Sequence, residues 1–201
     1  YSVHGSSECI EDNPMPMAQG AERDRTVRYL LGERGYRMGI YASSDAHVYM
    51  MGSLMPDPEN YQKNFNHRYG TALIAVYAPE LTGEAVFEAI KDRRTYGTTG
   101  ERILLEFSID GNPMGSEYVE SGQPEIAVTV GGTDVLERVE VMKYSNSSDW
   151  ERVYSDSPGQ NTCSFNYTDT SFAENSLYYV RVTQRDGEMA WSSPVWVDRQ
   201  K

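Results

Sequence analysis

The spacing of hydrophobic positions changes character about half-way along the chain and predicts two kinds of architecture. In the first half, Val27, Leu30, Leu31 and Arg34 fall at i, i+3, i+4 and i+7, which predicts a helix over residues 21–35 with Gly35 as its cap. Gly39 to Ser43 are small or apolar, and residues 37–43 predict a buried strand that runs into Ser44, Asp45 and His47. Residues 71–77 form a continuous apolar run, which suits a strand covered on both faces. Residues 81–94 predict a second helix, capped by Thr82, with Val86, Ala89, Ile90 and Arg93 on one face. Strand alternating with helix is the pattern of an α/β fold.

Beyond Arg102 the period falls to two. Ile103, Leu105, Phe107 and Ile109 alternate with Leu104, Glu106, Ser108 and Asp110, and an Asp-Gly turn follows. Further short runs centre on Ile126 to Val130, Val139 to Val141, Trp150 to Tyr154, Cys163 to Tyr167, Tyr178 to Val182 and Val195 to Val197. About seven short strands in about 100 residues predict an immunoglobulin-like sandwich. The expected organisation is an α/β portion over residues 1–102 and a β-sandwich over residues 103–201.

Composition narrows the functional classes. Hydrophobic residues make up 39% of the 201, enough for a packed core, and 15 tyrosines against 5 phenylalanines suit half-exposed strands. A formal charge of −12 disfavours nucleic acid and anionic membranes as partners. No apolar stretch approaches the ~20 residues of a membrane span. Cys9 and Cys163 lie in different halves and imply no disulfide framework. Residues 1–4 read as the tail of a strand, so a piece of a longer protein is expected.

The chemistry-bearing residues concentrate in the first half. Asp45 and His47 lie two apart at a strand end, so a carboxylate and an imidazole would face one spot. Both are donors for zinc, manganese or iron. The blander account is an N-cap Asp beside an unrelated loop His. His4, also at a strand end, is a third candidate ligand, and Glu8 could accept a hydrogen bond from a ligand histidine or be a solvated loop acid. His67 and Arg68 follow a long stretch without a clear period. His67 could act as a general acid and Arg68 could clamp a phosphate, although such loop residues are more often surface.

Several stretches resemble the PHP (polymerase and histidinol phosphatase) superfamily of metal-dependent phosphoesterases. They are Ser2 to Glu8, Ala42 to His47, Arg93 to Ile103, Tyr179 to Gln184 and Ala190 to Val197. The resemblance is to the C-terminal part of a bacterial branch with a trailing β-sandwich. It implies the end of a PHP-like β/α barrel followed by an immunoglobulin-like sandwich. It also implies two or three divalent ions (zinc, manganese or iron) in the intact protein, held in part by His4, Asp45 and His47. Its earlier His-x-His motif has no counterpart among the three histidines here, so an incomplete site is expected. The implied function is phosphoester hydrolysis by metal-activated water on a small phosphorylated or otherwise anionic substrate, in a periplasmic or extracellular setting. The alternative is a non-catalytic module whose sandwich binds a glycan or a protein. An open barrel edge would further predict self-association through residues 1–100.

Overall fold

A computed structural model describes residues 1–2, 4–17, 20–45 and 72–200. Its strands are β1 (Leu73–Val76), β2 (Thr95–Thr98), β3 (Leu104–Ile109), β4 (Asn112–Pro113), β5 (Glu117–Glu120) and β6 (Glu125–Gly131). They continue with β7 (Leu136–Ser145), β8 (Asp149–Asp156), β9 (Thr162–Thr168), β10 (Ser176–Gln184), β11 (Met189–Ser192) and β12 (Val195–Arg199). Two α-helices, α1 (Val27–Leu31) and α2 (Gly83–Lys91), are present among the described residues.

The strands form two sheets. In the smaller, the order is β4-β3-β6-β9 and every pairing is antiparallel. In the larger, β10 is the spine. One of its edges pairs with β7, which pairs with β8, and the other is shared by β11 and β12. β11 carries the sheet on to β2 and then β1, while β12 carries it to β5, the one parallel pairing among the described strands. Leu105, Phe107, Ile109, Ile126, Val128 and Val130 of the small sheet meet Val139, Val141, Tyr178, Val180, Val182, Ala190 and Val195 of the large one. This is the core of a sandwich, and the period-two residues fill it.

The expected β/α barrel is overturned. A barrel of that kind needs parallel strands, whereas β1 and β2 run antiparallel on either side of α2. An apolar run followed by an amphipathic helix does not encode the direction of the next strand, so the sequence pattern was ambiguous here. β1 is also not covered on both faces among the described residues: it is the last described strand of the sheet, and Leu73 and Ile74 are 38% and 42% exposed. Sheet pairing crosses residue 102, because β2 is hydrogen-bonded to β11.

Residues 37–43, expected as a strand, join no ladder. Ile40 N donates to Ser193 Oγ at 2.8 Å, Thr95 Oγ1 donates to Ile40 O at 2.8 Å, and Ser43 N donates to Tyr1 O at 3.0 Å. Two side-chain hydroxyls and the Tyr1 carbonyl thus take the place of a neighbouring strand. The segment sits so close to β2 that a Cβ on Gly97 would lie 2.8 Å from Ala42 N, which only glycine tolerates. The first helix is shorter than expected and ends at Leu31, with Thr26 Oγ1 accepting from Tyr29 N at its start. α2 matches its expected cap, Thr82 Oγ1 accepting from Ala85 N at 3.3 Å.

Candidate functional site

The described residues before Ala46 form a third layer over the outer face of the large sheet, opposite the sandwich core. Alternation along β7, β10 and β11 sends Met142, Tyr179, Met189 and Trp191 to that outer face, where Tyr1, Met15 and Ile40 cover them. Leu31 of α1 packs on Leu177 and Trp196 farther along the same face. Gly5 lets the layer fold back on itself: its φ is +115°, and a Cβ there would lie 2.7 Å from Pro16 O.

Beneath this layer lies a cluster of buried charges. Arg181, on β10, is fully buried. Its Nε donates to Glu140 Oε2 at 2.8 Å, its Nη2 to Asp12 Oδ2 at 2.7 Å, and its Nη1 to Asp12 O at 2.7 Å and Glu8 Oε1 at 3.3 Å. Glu140 also accepts from Arg152 Nη1 at 2.6 Å. Glu8 accepts from Arg28 Nη2 at 3.2 Å, from Trp191 Nε1 at 2.8 Å and from the Tyr179 hydroxyl. Burial and then the Glu8 carboxylate push the Tyr179 hydroxyl well above its ordinary pKa. The Arg181 hydrogen bond holds Asp12 below its ordinary range. Cys9, buried beside Glu8, is pushed up to about 12, mainly by burial, and stays a protonated thiol near neutrality.

Between the N-terminal layer and the sheet opens a cavity of about 440 Å³. Aromatic rings from Tyr1, Tyr41, Tyr179 and Trp191 line it, along with Ser2, Ser6, Ser7 and Ser43. Tyr1 and Trp191 stack with centroids 5.8 Å apart and planes 21° apart, and Tyr41 is 64% exposed. The charged residues in the described lining are Glu8 and Asp45, both acidic.

The expected site residues fall as follows. His4 and Asp45 meet at this end of the molecule, with His4 Nε2 3.4 Å from Asp45 Oδ2. Asp45 adopts a left-handed φ of 56°, a conformation aspartate tolerates. Glu8, expected beside a ligand histidine, has its carboxylate on Arg28, Arg181, Tyr179 and Trp191. His47, His67 and Arg68 lie outside the described residues. Among the described residues no three His, Cys, Asp or Glu side chains converge. His4 and Asp45 are therefore two donors where catalytic zinc takes about three plus water. The described residues do not by themselves fit the expected ions.

Sequence reasoning missed the Arg181–Glu140–Glu8 cluster and the cavity above it. The signal was present in Leu177 to Val182 (Leu-Tyr-Tyr-Val-Arg-Val), where large residues occupy both faces of the strand. Such a run means that the outer face is covered too.

Comparison with known proteins gives a consistent but functionally silent picture. A family model described as "Protein of unknown function (DUF3604)" matches residues 52–133. The chain is 31% identical over 224 residues to an uncharacterized protein of Chlamydia muridarum, covering 98% of this chain and 34% of the relative. Similar relatives occur in Chlamydia pneumoniae (31% over 221 residues) and Chlamydia trachomatis (30% over 224 residues). The chain thus spans about a third of the length of these relatives, which it covers to 34%, 33% and 34%. These matches overturn the PHP resemblance: the family model that matches is DUF3604, and the nearly all-β architecture of the described residues shows no PHP barrel. The hydrolase and phosphoesterase reading loses the support it drew from that resemblance. The chain is similar to the DUF3604 family and to these chlamydial proteins.

Proposed function

We propose that this region is a non-catalytic recognition module that takes a neutral, hydroxyl-rich ligand, a glycan, in the cavity between the N-terminal layer and the large sheet. The observation that carries this reading is the composition of the cavity wall: four aromatic rings, four serines and the Asp45 carboxylate around about 440 Å³. That volume suits a small-molecule site, and aromatic walls with a few convergent polar groups are the usual build of one. Aromatic faces stack on the apolar faces of sugar rings, while serine hydroxyls and a carboxylate exchange hydrogen bonds with ring hydroxyls. The anionic, phosphorylated substrate expected earlier suits this lining less well, because its charged side chains are both acidic and no basic side chain is in the described lining.

Titration with a panel of neutral mono- to tetrasaccharides, followed by tryptophan fluorescence, tests the reading. Trp191 emission should change on binding, and Tyr41→Ala should weaken binding about three- to tenfold through loss of one stacking ring. An unchanged spectrum across the panel at millimolar sugar would overturn it.

A further inference from the structure

A second surface, remote in kind from the aromatic cavity, is the edge of the large sheet at β1, which is unpaired among the described strands. Tyr77 N donates to Arg94 O at 2.9 Å, and the antiparallel register sets Val76 opposite Thr95 and Ala75 opposite Tyr96. Hydrogen-bonded pairs alternate along an antiparallel ladder, so Leu73, Ala75 and Tyr77 bond inward to β2. On the β2 side, Ser193 N donating to Thr95 O places the 95, 97 and 99 positions toward β11, in agreement. The N–H and C=O groups of Ile74 and Val76 therefore point away from the sheet.

This edge lacks the usual protections. The strand is Leu-Ile-Ala-Val, with no charge, no proline and no bulge, and no other described strand pairs with its outer side. Beside it, α2 exposes Phe87 (64%) and Ile90 (46%), one turn apart. At the Tyr77 end a second cavity of about 270 Å³ opens between Tyr77, Phe107 and Met114, with Arg94 and Glu106 in its wall. A row of outward-pointing backbone groups that leads to a hole of mixed apolar and charged lining is the layout of a strand-addition site, where the ladder supplies affinity and the hole supplies selectivity.

We infer that β1 accepts an extended segment of a partner protein as an added strand, the segment being uncharged and β-branched at its centre, bearing one aromatic anchor and flanked by basic residues. The charge balance selects this occupant. The chain carries a net −12, and Glu80, Glu84 and Glu106 are exposed around the edge, so a second copy of the same chain would meet like charge. A basic-flanked segment meets opposite charge.

The test uses the chain with a synthetic nine-residue peptide of alternating valine and threonine, with one phenylalanine and a lysine at each end. Amide exchange at Ile74 and Val76 should slow by about tenfold or more when the peptide is bound. Replacing the lysines with glutamates should weaken binding by about threefold or more. Ile74→Pro removes an outward donor without touching the β1–β2 ladder and should weaken binding about tenfold. Ile74→Thr keeps that donor and should bind within about threefold of the unsubstituted protein. Equal losses from both substitutions would overturn strand addition. So would unprotected Ile74 and Val76 amides at saturating peptide, or protection of both together with dimerisation when peptide is absent. If Ile74→Pro does not fold, the exchange data on the unsubstituted protein decide alone.

Discussion

The two faces of the large sheet are built from the same strands, yet they follow opposite rules. On the inner face Val139, Val141, Val180, Val182 and Ala190 meet the small sheet in a continuous apolar core. On the outer face the neighbouring residues Glu140, Arg181 and Tyr179 carry charge and hydroxyls, and they are buried just as deeply. The inner face is held by area removed from water, about 25 cal/mol per Å² and without direction. The outer face is held by directed charge-assisted hydrogen bonds, which tie Glu8 and Asp12 of the N-terminal layer to one arginine. A face that must hold a cavity open cannot be a close-packed apolar slab. A charged clasp fixes the covering layer while leaving room beside it.

The largest effect should come from the clasp itself. Arg181→Ala would strand the carboxylates of Glu8 and Glu140 in a buried site, with a loss of about 3–5 kcal/mol in urea unfolding. Combining Arg181→Met with Glu8→Gln and Glu140→Gln should restore about half of that loss, because the stranded charge rather than the missing contact carries most of the penalty. If the triple variant is no more stable than Arg181→Ala, the clasp contributes by geometry and the contrast between the faces is weaker than stated.

On the inner face of the same strand, Val180→Ala should cost less, about 2 kcal/mol, through lost transfer energy and a small residual cavity. It should also leave the ligand cavity of the outer face unaffected, so sugar binding by the folded variant should match that of the unsubstituted protein. A change in binding larger than about threefold would show that the two faces are coupled.

The contrast also explains what could be read in the sequence. The inner face was legible because alternation of Val128 and Val130 with Ala127 and Thr129 has one meaning, a strand with one apolar side. The turn and cap chemistry of Thr82 was legible for the same reason. Glu140 and Arg181 were not, since a polar residue in an alternating run reads as solvent-facing, and nothing local announces a covering layer whose Glu8 and Asp12 lie 173 and 169 residues before Arg181. The α/β expectation for the first half failed at the same point. An apolar strand followed by a helix looks identical before a parallel or an antiparallel partner, and β2 lies between β1 and a strand, β11, from the far end of the chain. Of the candidate site, the cavity wall was not legible, because Trp191 and Tyr179 reach it from the far end of the chain.

Acid and alkali should separate the two faces without any substitution. Asp12 is held below its ordinary value by Arg181, so its contribution is present above the ordinary carboxylate range and is lost as pH falls through the lowered value. Tyr179 is raised, so its contribution is present below about pH 10 and is lost as pH rises, when the unfolded chain ionises and the folded one resists. Thermal unfolding followed from pH 3 to pH 10.5 should therefore show a plateau that falls at both ends. Tyr179→Phe should flatten the alkaline fall. An alkaline limb identical in that variant would assign the loss elsewhere, for instance to Tyr178, whose hydroxyl donates to Asp169 at 2.7 Å and is likewise raised, by burial first and then that bond.

The smallest effect should come from a position outside both faces. Thr82 caps α2 at the sheet's free end, its hydroxyl accepting from Ala85 N at 3.3 Å. Thr82→Ala should cost about 1 kcal/mol, the ordinary value of an exposed N-cap, which is a fall in Tm of about 2–4 °C for a chain of this size. The helix touches neither the clasp nor the core between the sheets, so the cost should add to that of Arg181→Ala and of Val180→Ala within about 0.5 kcal/mol. Because α2 lies against β1, the same variant also reports on the edge: if the helix positions Phe87 and Ile90 for an added strand, peptide binding should weaken while sugar binding does not. Matching losses at both sites would mean that the sheet transmits disturbance from its edge to its outer face, and the two surfaces would then have to be treated as one.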